Sequence, residues 1–450
     1  MQSSRARLST FEDSAHEGAD PAGRPTAERL FDISAALFCE KGYAATTTRE
    51  IAAAAGIQQA SLYHHVASKE DLLHQICVSS LQQLLTDVRS AVNAASNPLE
   101  RIEVLARTHL RTILRHQMRH VTMLNELRAL SGPHRTTVMD LRKKYANLVR
   151  AIIEDAQAAG AVRTDIPARY LYLALLNILN WAVIWFRRGQ TLSEDELARI
   201  FISIYLTGAA ARVERVPITS SAVRSNRRKT SPVASSAEEA SRQSTFERLL
   251  DAAAALFSQK GYAAASTREI AGILGIRKAS LYYHIENKED LLYAICKSSL
   301  HQIRHDVAAA LEKVQDPLER TRTLVRAHIR SLVRDQIAHS VAVGEMRALS
   351  GARLKEVIAL RDAYEGLVRS VLQDARKAGV LRDDLGVKYL CLILLGLLNR
   401  VELWYRREGA LSPDQLARVF EAIFLTGAGR PPSELIGRSR PRRIPMHRLR

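Results

Sequence analysis

The chain repeats itself once, in a single register, over most of its 450 residues. Gly42 recurs as Gly261, an offset of 219 residues, and the same offset maps residues 48–52 onto residues 267–271. The offset still holds near the end of each copy, where both copies contain the sequence Leu-Thr-Gly-Ala. A period this long exceeds the roughly 20–50 residues of solenoid repeats. Each copy should therefore be a complete folding unit, and one chain can do what a homodimer does with two.

Composition and charge favour a soluble protein with a polyanionic partner. No segment reaches the roughly 18–20 apolar residues that a membrane span needs, and the N-terminus lacks the apolar core of a signal peptide. The four cysteines, Cys39, Cys77, Cys296 and Cys391, show no disulfide or Cys-x-x-Cys spacing, which fits a reducing cytoplasm. A net charge of +18 favours nucleic acid first and an anionic membrane surface second. We predict a cytoplasmic protein that does not bind membranes.

The periodicity of apolar residues predicts an all-α fold. Ala, Leu and Ile recur at three- and four-residue spacing, and no convincing run alternates with period two. Capping boxes at Thr47-x-x-Glu50 and Ser266-x-x-Glu269 open one helix in each copy. The repeat, the composition and the periodicity together predict a disordered N-terminus (1–25), a first helical unit (26–210), a basic flexible linker (211–243), a second helical unit (244–429) and a basic tail (430–450).

Residues 48–66 and 267–285 have the pattern of a helix-turn-helix motif. Ala52 is small where two helices would cross, and Gly56 permits the positive φ of a tight turn. Ile51 and Leu62 supply the apolar contact between the two helices, and the second copy keeps all of these roles. A single copy would also fit an ordinary helical hairpin. Two copies with matched caps favour the DNA-binding interpretation.

At these residues the chain resembles the TetR (tetracycline-repressor) family of bacterial transcription regulators. The resemblance rests on residues 37–38, 41–43, the helix-turn-helix and residues 69–73, and covers about 50 residues of each copy closely. It implies two tandem TetR-like units. Each would have a three-helix helix-turn-helix DNA-binding head (26–75 and 244–294) and a helical regulatory domain for ligand binding and dimerisation (76–210 and 295–429). The protein would be associated with the nucleoid when DNA-bound. Tandem fusion departs from the usual single-copy arrangement, so homodimerisation does not simply carry over.

The resemblance also carries over the family's DNA contacts by position. Residues at the start of the motif's first helix would reach a phosphate and a base edge. Residues at the start of the recognition helix would face the major groove, and the others would hold the backbone. The predicted DNA-binding residues of repeat one are Thr48, Arg49, Gln58, Gln59, Ala60, Ser61, Tyr63, His65 and Lys69. Those of repeat two are Thr267, Arg268, Arg277, Lys278, Ala279, Ser280, Tyr282, His284 and Lys288.

The two copies differ at the positions that would read bases. Gln58 and Gln59 suit adenine, whereas Arg277 and Lys278 seek guanine and phosphate. Positioning residues are kept while reading residues change, which predicts an operator with two unequal half-sites. The alternative is that Arg277 and Lys278 only strengthen phosphate contact.

The tandem arrangement predicts an intramolecular pseudo-dimer. Recognition helices in such regulators lie about one DNA turn apart, roughly 34–36 Å or a multiple of it. A flexible linker of about 30 residues can bridge two units without dictating their geometry. Residues 168–188 and 193–206, with their counterparts in repeat two, should supply the pairing surface. A dimer of chains with four heads is the alternative.

The regulatory domains resemble those of acyl-CoA-responsive family members, which control lipid, steroid or aromatic-acid catabolism. The resemblance implies a small-molecule effector and an apolar pocket with an arginine rim. The predicted ligand-binding residues are Arg128, Asn180, Trp185, Arg187, Arg188, Arg347, Asn399, Trp404, Arg406 and Arg407. Interface aromatics with solvated arginines would give the same pattern. Repeat two has Arg400 in place of Trp181 and Gly396 in place of Asn177, so we expect either two different pockets or one silent pocket.

Other function classes find little support. His116 and His120 have a metal-compatible spacing but no evident third ligand, and we predict no metal, no cofactor and no enzymatic activity. Cys77 and Cys296 occupy equivalent positions, which would suit a redox switch. A structural role as small buried residues is the favoured interpretation. We therefore predict a ligand-responsive repressor. The alternatives are an architectural DNA-binding protein of low specificity, and a regulator whose second head serves only for dimerisation.

Overall fold

The computed structural model describes residues 26–186, 192–208, 245–406, 409 and 411–427. Within these ranges the elements are α-helices and short 3₁₀ turns, so the all-α prediction is confirmed. The N-terminal segment, the linker and the basic tail named above lie outside the described residues.

The described helices follow the same order in both repeats. Repeat one contains α1 (Thr26–Lys41), α2 (Thr48–Ala55), α3 (Gln59–His65), α4 (Lys69–Asn93), α5 (Pro98–Arg115), α6 (Gln117–Asn125), α7 (Gly132–Ala158), α8 (Ala168–Trp185) and α9 (Glu194–Thr207). Repeat two contains α10 (Thr245–Lys260), α11 (Thr267–Ile273), α12 (Lys278–Leu281), α13 (Lys288–Leu311), α14 (Pro317–Arg334), α15 (Gln336–Glu345), α16 (Gly351–Lys377), α17 (Val387–Asn399) and α18 (Pro413–Thr426). The 3₁₀ turns are Leu127–Ala129, Met346–Ala348 and Arg400–Leu403.

Each head is a small bundle in which α2 and α3 form the helix-turn-helix. Thr47 and Glu50 make both hydrogen bonds of the predicted capping box, as do Ser266 and Glu269 in repeat two. Gly56 has φ 68°, which confirms the turn predicted from sequence. Ile51 is fully buried in the head's own hydrophobic core, so the motif is held by packing as well as by its caps.

The regulatory domains share one continuous hydrophobic core. Its buried members come from α4, α5, α7, α8 and α9 of repeat one and from α13, α14, α16, α17 and α18 of repeat two. The heads have separate cores, each of which also includes residues from the adjoining regulatory helices. We call the two regulatory domains the bodies. They pack together as one unit that carries the two heads.

The contact between the bodies is made mainly by α8 and α17. Asn177 Nδ2 donates to the Leu397 carbonyl at 3.2 Å, and Trp181 lies against Gly396. The segment Ala168–Trp185 is long and apolar enough to span a membrane, contrary to our sequence expectation. Over half of it is buried in the protein, and its apolar character is explained by packing on two sides.

The Leu-Thr-Gly part of the repeated motif, residues 206–208 and 425–427, lies where α9 and α18 meet. A Cβ atom on Gly208 would lie 2.3 Å from the Leu425 carbonyl oxygen, and one on Gly427 would lie 2.5 Å from the Leu206 carbonyl. Both glycines also have positive φ, at 80° and 71°. Only glycine allows the two backbones to approach this closely, which explains why both copies contain it.

Candidate functional site

The predicted base-reading residues are exposed on both heads. Gln58, Gln59 and Ala60 at the start of α3 are exposed, as are the residues at the same positions in repeat two, Arg277, Lys278 and Ala279. The buried Leu62 and Leu281 anchor the opposite sides of these helices. The fold thus presents the two differing residue pairs to solvent, where a DNA base edge could reach them.

A tyrosine joins the two helices of each motif. The hydroxyls of Thr48 and Tyr63 lie 3.3 Å apart, and those of Thr267 and Tyr282 lie 3.3 Å apart. In repeat one the Gln59 amide also donates to Thr48 Oγ1 at 3.1 Å. These contacts bring several of the predicted DNA-binding residues into one polar surface on each head.

Lys69 and Lys288 differ from the other predicted backbone contacts because their ammonium groups bind within the head. Lys69 Nζ donates to the Tyr43 and Thr46 carbonyls at 2.9 and 2.8 Å, and lies 4.4 Å from the centre of the Tyr43 ring. Lys288 makes the same contacts within repeat two. Desolvation lowers the pKa of both lysines. Their first role is to hold the loop after the head's first helix.

The recognition segment of repeat two is more tightly wound. Helix α12 has four residues where α3 has seven, and it continues as a turn in which the His284 amide donates to the Leu281 carbonyl at 3.0 Å. Tyr283 in this turn is 88% exposed and takes the place of His64. Sequence reasoning missed this residue. An aromatic side chain this exposed, beside the reading residues, is a further candidate for contact with DNA.

A chain of buried polar groups crosses the body of repeat one. Tyr145 Oη lies 2.6 Å from His109 Nδ1, and the Asn180 amide oxygen lies 3.3 Å from His109 Nε2 and 2.9 Å from His120 Nε2. His120 Nδ1 lies 3.4 Å from the Ser80 hydroxyl. Burial lowers the pKa of His109 to about 3 and that of His120 to about 4, so both rings are neutral at pH 7.

Repeat two keeps the histidines but not the whole chain. Tyr364 Oη lies 2.6 Å from His328 Nδ1, whereas the Nε2 atoms of His328 and His339 are both buried without a hydrogen-bond partner. Burial again lowers the two pKa values, to about 3 and about 4. We call His109 with His120, and His328 with His339, the buried histidine pairs. The loss of the last contact coincides with the end of α17 at Asn399, where the chain turns into a 3₁₀ segment.

The predicted ligand residues Arg128 and Arg347 bridge the two repeats. Arg128 pairs with Glu345, and Arg347 pairs with Glu126. Both glutamates are 5% exposed. We call these four residues the inter-repeat charge cluster. Both arginines thus have an inter-repeat role in the structure, and their predicted place on a pocket rim stays a prediction.

The inter-repeat charge cluster also contacts the heads. Arg347 Nη1 donates to the Cys39 carbonyl at 3.4 Å and its guanidinium lies beside Gly42. Arg128 lies against Gly261, where a Cβ atom would be 3.1 Å from its Nε. Each repeat's arginine therefore touches the other repeat's head at the repeated Gly-Tyr sequence.

The other predicted ligand residues are dispersed. Trp185 packs on Phe186 and Phe201, and Trp404 packs on Phe420. Asn180 belongs to the buried polar chain described above. Arg406 is exposed and donates to the Tyr405 carbonyl. Arg187, Arg188 and Arg407 lie outside the described residues.

A polar cavity of about 50 Å³ lies between the head and the body of repeat one. Its lining includes Glu28, Ser80, His116, Arg119 and His120. A space of this size admits a water molecule or a small polar group but not an acyl chain. It is therefore not the apolar pocket predicted from sequence.

Arg400 is a candidate ligand-binding residue that sequence reasoning did not select. It comes from repeat two, is 4% exposed, and lies over the Trp181 ring of repeat one at 5.9 Å. Its Nε and Nη2 atoms are buried without hydrogen-bond partners. Burial lowers the pKa of His120 and of Arg142, and the positive charge of Arg400 lowers these two pKa values further. Arg400 therefore faces the polar interior of repeat one. The signal available in the sequence was the change from Trp181 to Arg400 between the copies.

The remaining sequence candidates have structural roles. His120 is engaged by Asn180, and His116 lines the polar cavity. Burial raises the pKa of Cys77 and Cys296 to about 12, so both thiols stay protonated at neutral pH, as expected of small buried residues.

Two family models match the chain, and each matches twice. The model for bacterial regulatory proteins of the tetR family matches residues 30–76 and 249–295, the two heads. The model for the tetracyclin repressor-like C-terminal domain matches residues 95–209 and 314–428, the two bodies. The chain belongs to the TetR family. It is a tandem member of that family, with both domains duplicated, and it is a DNA-binding transcriptional regulator.

Individual relatives correspond in length to one repeat. The HTH-type transcriptional repressor KstR2 of Mycobacterium tuberculosis is 30% identical over 190 residues, which are 42% of this chain and 95% of that protein. KstR2 of Rhodococcus jostii is 32% identical over 198 residues, or 44% of this chain and 96% of that protein. Among solved structures, the TetR-family regulator PfmR from Thermus thermophilus is 33% identical, covers 41% of this chain and 100% of its own, and has a TM-score of 0.39.

Proposed function

We propose that this TetR-family protein is a ligand-responsive repressor that binds one imperfect palindromic operator as an intramolecular pseudo-dimer. The observation that carries the proposal is the unlike but complementary contact between the two repeats. Trp181 of repeat one lies where Gly396 of repeat two leaves room for it, and Arg400 lies over the same indole ring.

The contact between α8 and α17 favours pairing of unlike repeats. A second copy of repeat one would present Asn177 to Trp181, because Asn177 stands where repeat two has Gly396. A Cβ atom at position 396 would lie 2.8 Å from Trp181 Cδ1, closer than side-chain atoms pack. Two copies of repeat two would lack the indole and bring two Arg400 residues to the same interface. Repeat one with repeat two avoids both problems.

Tethering makes this pairing intramolecular. A linker of about 30 residues raises the local concentration of one repeat around the other to about the millimolar range. Exchange between chains would have to compete with that concentration. A monomeric chain with two heads is therefore the DNA-binding form that we propose.

The differing residues on the two heads support unequal half-sites. Both recognition segments are anchored in the same way, while Gln58 and Gln59 on one head face solvent where Arg277 and Lys278 do on the other. Since glutamine suits adenine and arginine suits guanine, each head would read its own half-site.

We propose that the effector is an acidic, largely apolar molecule such as an acyl-CoA, and that Arg400 binds its anionic group. A buried guanidinium without a paired acid is costly, and an anionic ligand would relieve that cost. Glu402 is also buried, and burial raises its pKa to about 7, so it provides only part of a counter-charge at neutral pH. Regulation of lipid, steroid or aromatic-acid catabolism would fit this effector. The Bacillus subtilis fatty acid metabolism regulator protein, 20% identical over 187 residues, gives modest support to the lipid option.

The inter-repeat charge cluster offers a route from the effector to the heads. Each arginine of the cluster touches the opposite head, so a shift between the two bodies would move both heads. An effector that binds between the bodies and favours a different separation would then weaken operator binding.

The operator proposal is tested by selecting bound sequences from a random DNA library with the purified full-length protein. We expect one enriched site with two different half-sites about one DNA turn apart. Light scattering should give the mass of one chain in the complex. A perfect palindrome bound by two chains would contradict the proposal. Tight, salt-sensitive binding without enrichment would favour an architectural DNA-binding protein instead.

The effector proposal is tested by thermal-shift screening of acyl-CoA thioesters and their free acids. We expect a thioester to raise the melting temperature of the wild-type protein and to release the selected operator. An Arg400→Met variant should keep operator binding but lose the response. An equal response in that variant would exclude Arg400 as the anion-binding group.

A further inference from the structure

We propose that repeat one carries a site for a divalent transition-metal ion, such as Zn²⁺, formed by Asp71, His74 and His134. Asp71 and His74 are three residues apart on α4, so their side chains lie on one face of the helix. His134 lies in the first turn of α7. One possible ligand atom from each of the three residues lies within 4.8 Å of the other two.

The chemistry of the three side chains selects the kind of ion. Two imidazoles with a carboxylate suit zinc and its neighbours, whereas Mg²⁺ and Ca²⁺ prefer oxygen ligands alone. Tetrahedral zinc has bonds of about 2.0–2.1 Å, so its ligand atoms lie roughly 3.4 Å apart. The three residues are only partly buried, which leaves their side chains room to rotate until the ligand atoms reach that separation and the lone pairs of both rings point at one ion.

The two histidines are already held side by side. Their rings stack with centroids 4.3 Å apart and planes inclined by 15°. The Nε2 atom of His74 is buried without a hydrogen-bond partner. An ion bound by this atom would satisfy it and would give the two stacked imidazoles a common partner.

At the equivalent positions of repeat two, an arginine supplies a positive charge beside the same two carboxylates. His134 is replaced by Arg353, whose guanidinium contacts both Asp290 and Glu289, the counterparts of Asp71 and Glu70. His74 is replaced by Tyr293, whose hydroxyl donates to Glu356 at 2.5 Å instead. A permanent cation therefore lies beside the two carboxylates in repeat two. In repeat one, His134 and His74 occupy the positions of Arg353 and Tyr293, and both can bind a metal ion.

The carboxylate beside the site is held in the same way in both repeats. Glu70 Oε1 accepts hydrogen bonds from the Ser131 amide and hydroxyl at 2.7 and 2.9 Å, and lies 3.6 Å from His134 Nδ1. Glu289 makes the matching bonds with Ser350. This carboxylate holds the start of α7 beside α4 and is placed to orient His134, as outer carboxylates orient metal-binding histidines.

A bound ion would join the head of repeat one to its body. Helix α4 begins at Lys69, which holds the head's loop through the Tyr43 and Thr46 carbonyls. Helix α7 begins just after the turn that contains Arg128. The ion would thus hold together two helices that meet the head and the inter-repeat charge cluster.

The test uses the full-length protein, made metal-free with a chelator and then titrated with Zn²⁺ against a chromophoric competitor, and with Co²⁺ for its visible spectrum. The matched variant is His74→Tyr with His134→Arg, which gives repeat one the residues of repeat two. That residue set is compatible with the fold of repeat two, and circular dichroism will check that the variant folds.

We expect the wild-type protein to bind one more Zn²⁺ per chain than the variant, with affinity at that site weakened by at least about 100-fold in the variant. Bound Co²⁺ should give ligand-field bands that the variant lacks. A His305→Arg variant, changed at an exposed histidine, should behave as the wild type. Equal stoichiometry and affinity in the wild type and the double variant would overturn the proposal, as would loss of binding in His305→Arg.

Discussion

Exchanging the interface residues between the two repeats should destabilise the protein when one repeat is changed and restore it when both are. The first variant, Asn177→Gly with Trp181→Arg, gives repeat one the residues of repeat two. The second, Gly396→Asn with Arg400→Trp, makes the opposite change. Each produces an interface between like surfaces. The combined variant rebuilds the unlike contact with the two sides reversed.

The magnitude follows from the contacts of Trp181 and Gly396. In the second variant, a Cβ atom at position 396 would lie 2.8–2.9 Å from three atoms of Trp181, and overpacking of this kind costs about 1–3 kcal/mol. In the first variant, loss of a half-buried indole costs about 2 kcal/mol, since full truncation of a buried tryptophan costs about 3–5 kcal/mol. Two guanidinium groups would also face each other. We expect each variant to lose about 2–3 kcal/mol.

The assay is thermal unfolding followed by circular dichroism at 222 nm, with the mass checked by light scattering. For a unit of 150–250 residues, 1 kcal/mol shifts the midpoint by about 2–4 °C, so each variant should melt roughly 5–10 °C below the wild type. The combined variant should recover at least half of the summed loss, because the coupled residues are not additive. A combined loss equal to or larger than the sum would refute the proposed complementarity.

Three further predictions concern the buried charges, the buried histidines and the reading residues. Arg128→Ala should lower stability by about 3–5 kcal/mol by leaving Glu345 buried and unpaired, and adding Glu345→Ala should restore part of it; equal melting of the single and double variants would contradict this. The buried histidine pairs have folded pKa values of about 3–4, below the unfolded value of about 6.5, so stability should fall as the pH drops from 6.5 towards 4. At pH 5 each of these histidines lowers the free energy of unfolding by about 2 kcal/mol. Protonation of Glu402, whose pKa is raised to about 7, partly offsets this loss. A melting temperature unchanged between pH 7 and pH 5 would exclude the effect. Changing Arg277 and Lys278 both to glutamine should make the selected operator symmetrical, whereas an unchanged asymmetric site would show that these side chains do not read bases.

The local features of the heads could be predicted from sequence because their causes are local. The Thr47–Glu50 capping box and the positive φ of Gly56 each depend on residues a few positions apart. The 219-residue offset then confirmed each feature by showing it twice. The same reasoning did not foresee contacts between residues that are distant in the sequence. Arg128 was predicted to bind a ligand, whereas its partner is Glu345, more than 200 residues away in the sequence.

Assuming two-fold symmetry between the repeats would have predicted Glu345 as the partner of Arg128. Glu126 and Arg128 recur together as Glu345 and Arg347, and a pseudo-two-fold axis naturally places each acid opposite the other repeat's base. Sequence comparison also noted the change from Trp181 to Arg400. It could not show that these two residues meet, because the crossing point of α8 and α17 depends on the packing of both bodies.

The differences between the copies form a pattern that a homodimer could not develop. Residues that hold backbones together, such as Gly208 and Gly427, are the same in both repeats because both sides of the interface need them. Residues that differ include those at the reading positions, at the contact of Trp181 with Gly396, and at the cluster around His134. In a homodimer every substitution appears on both sides of the axis, so an indole and the space for it must both lie on one surface. Covalent linkage removes that constraint and allows each repeat to specialise, one as the complement of the other.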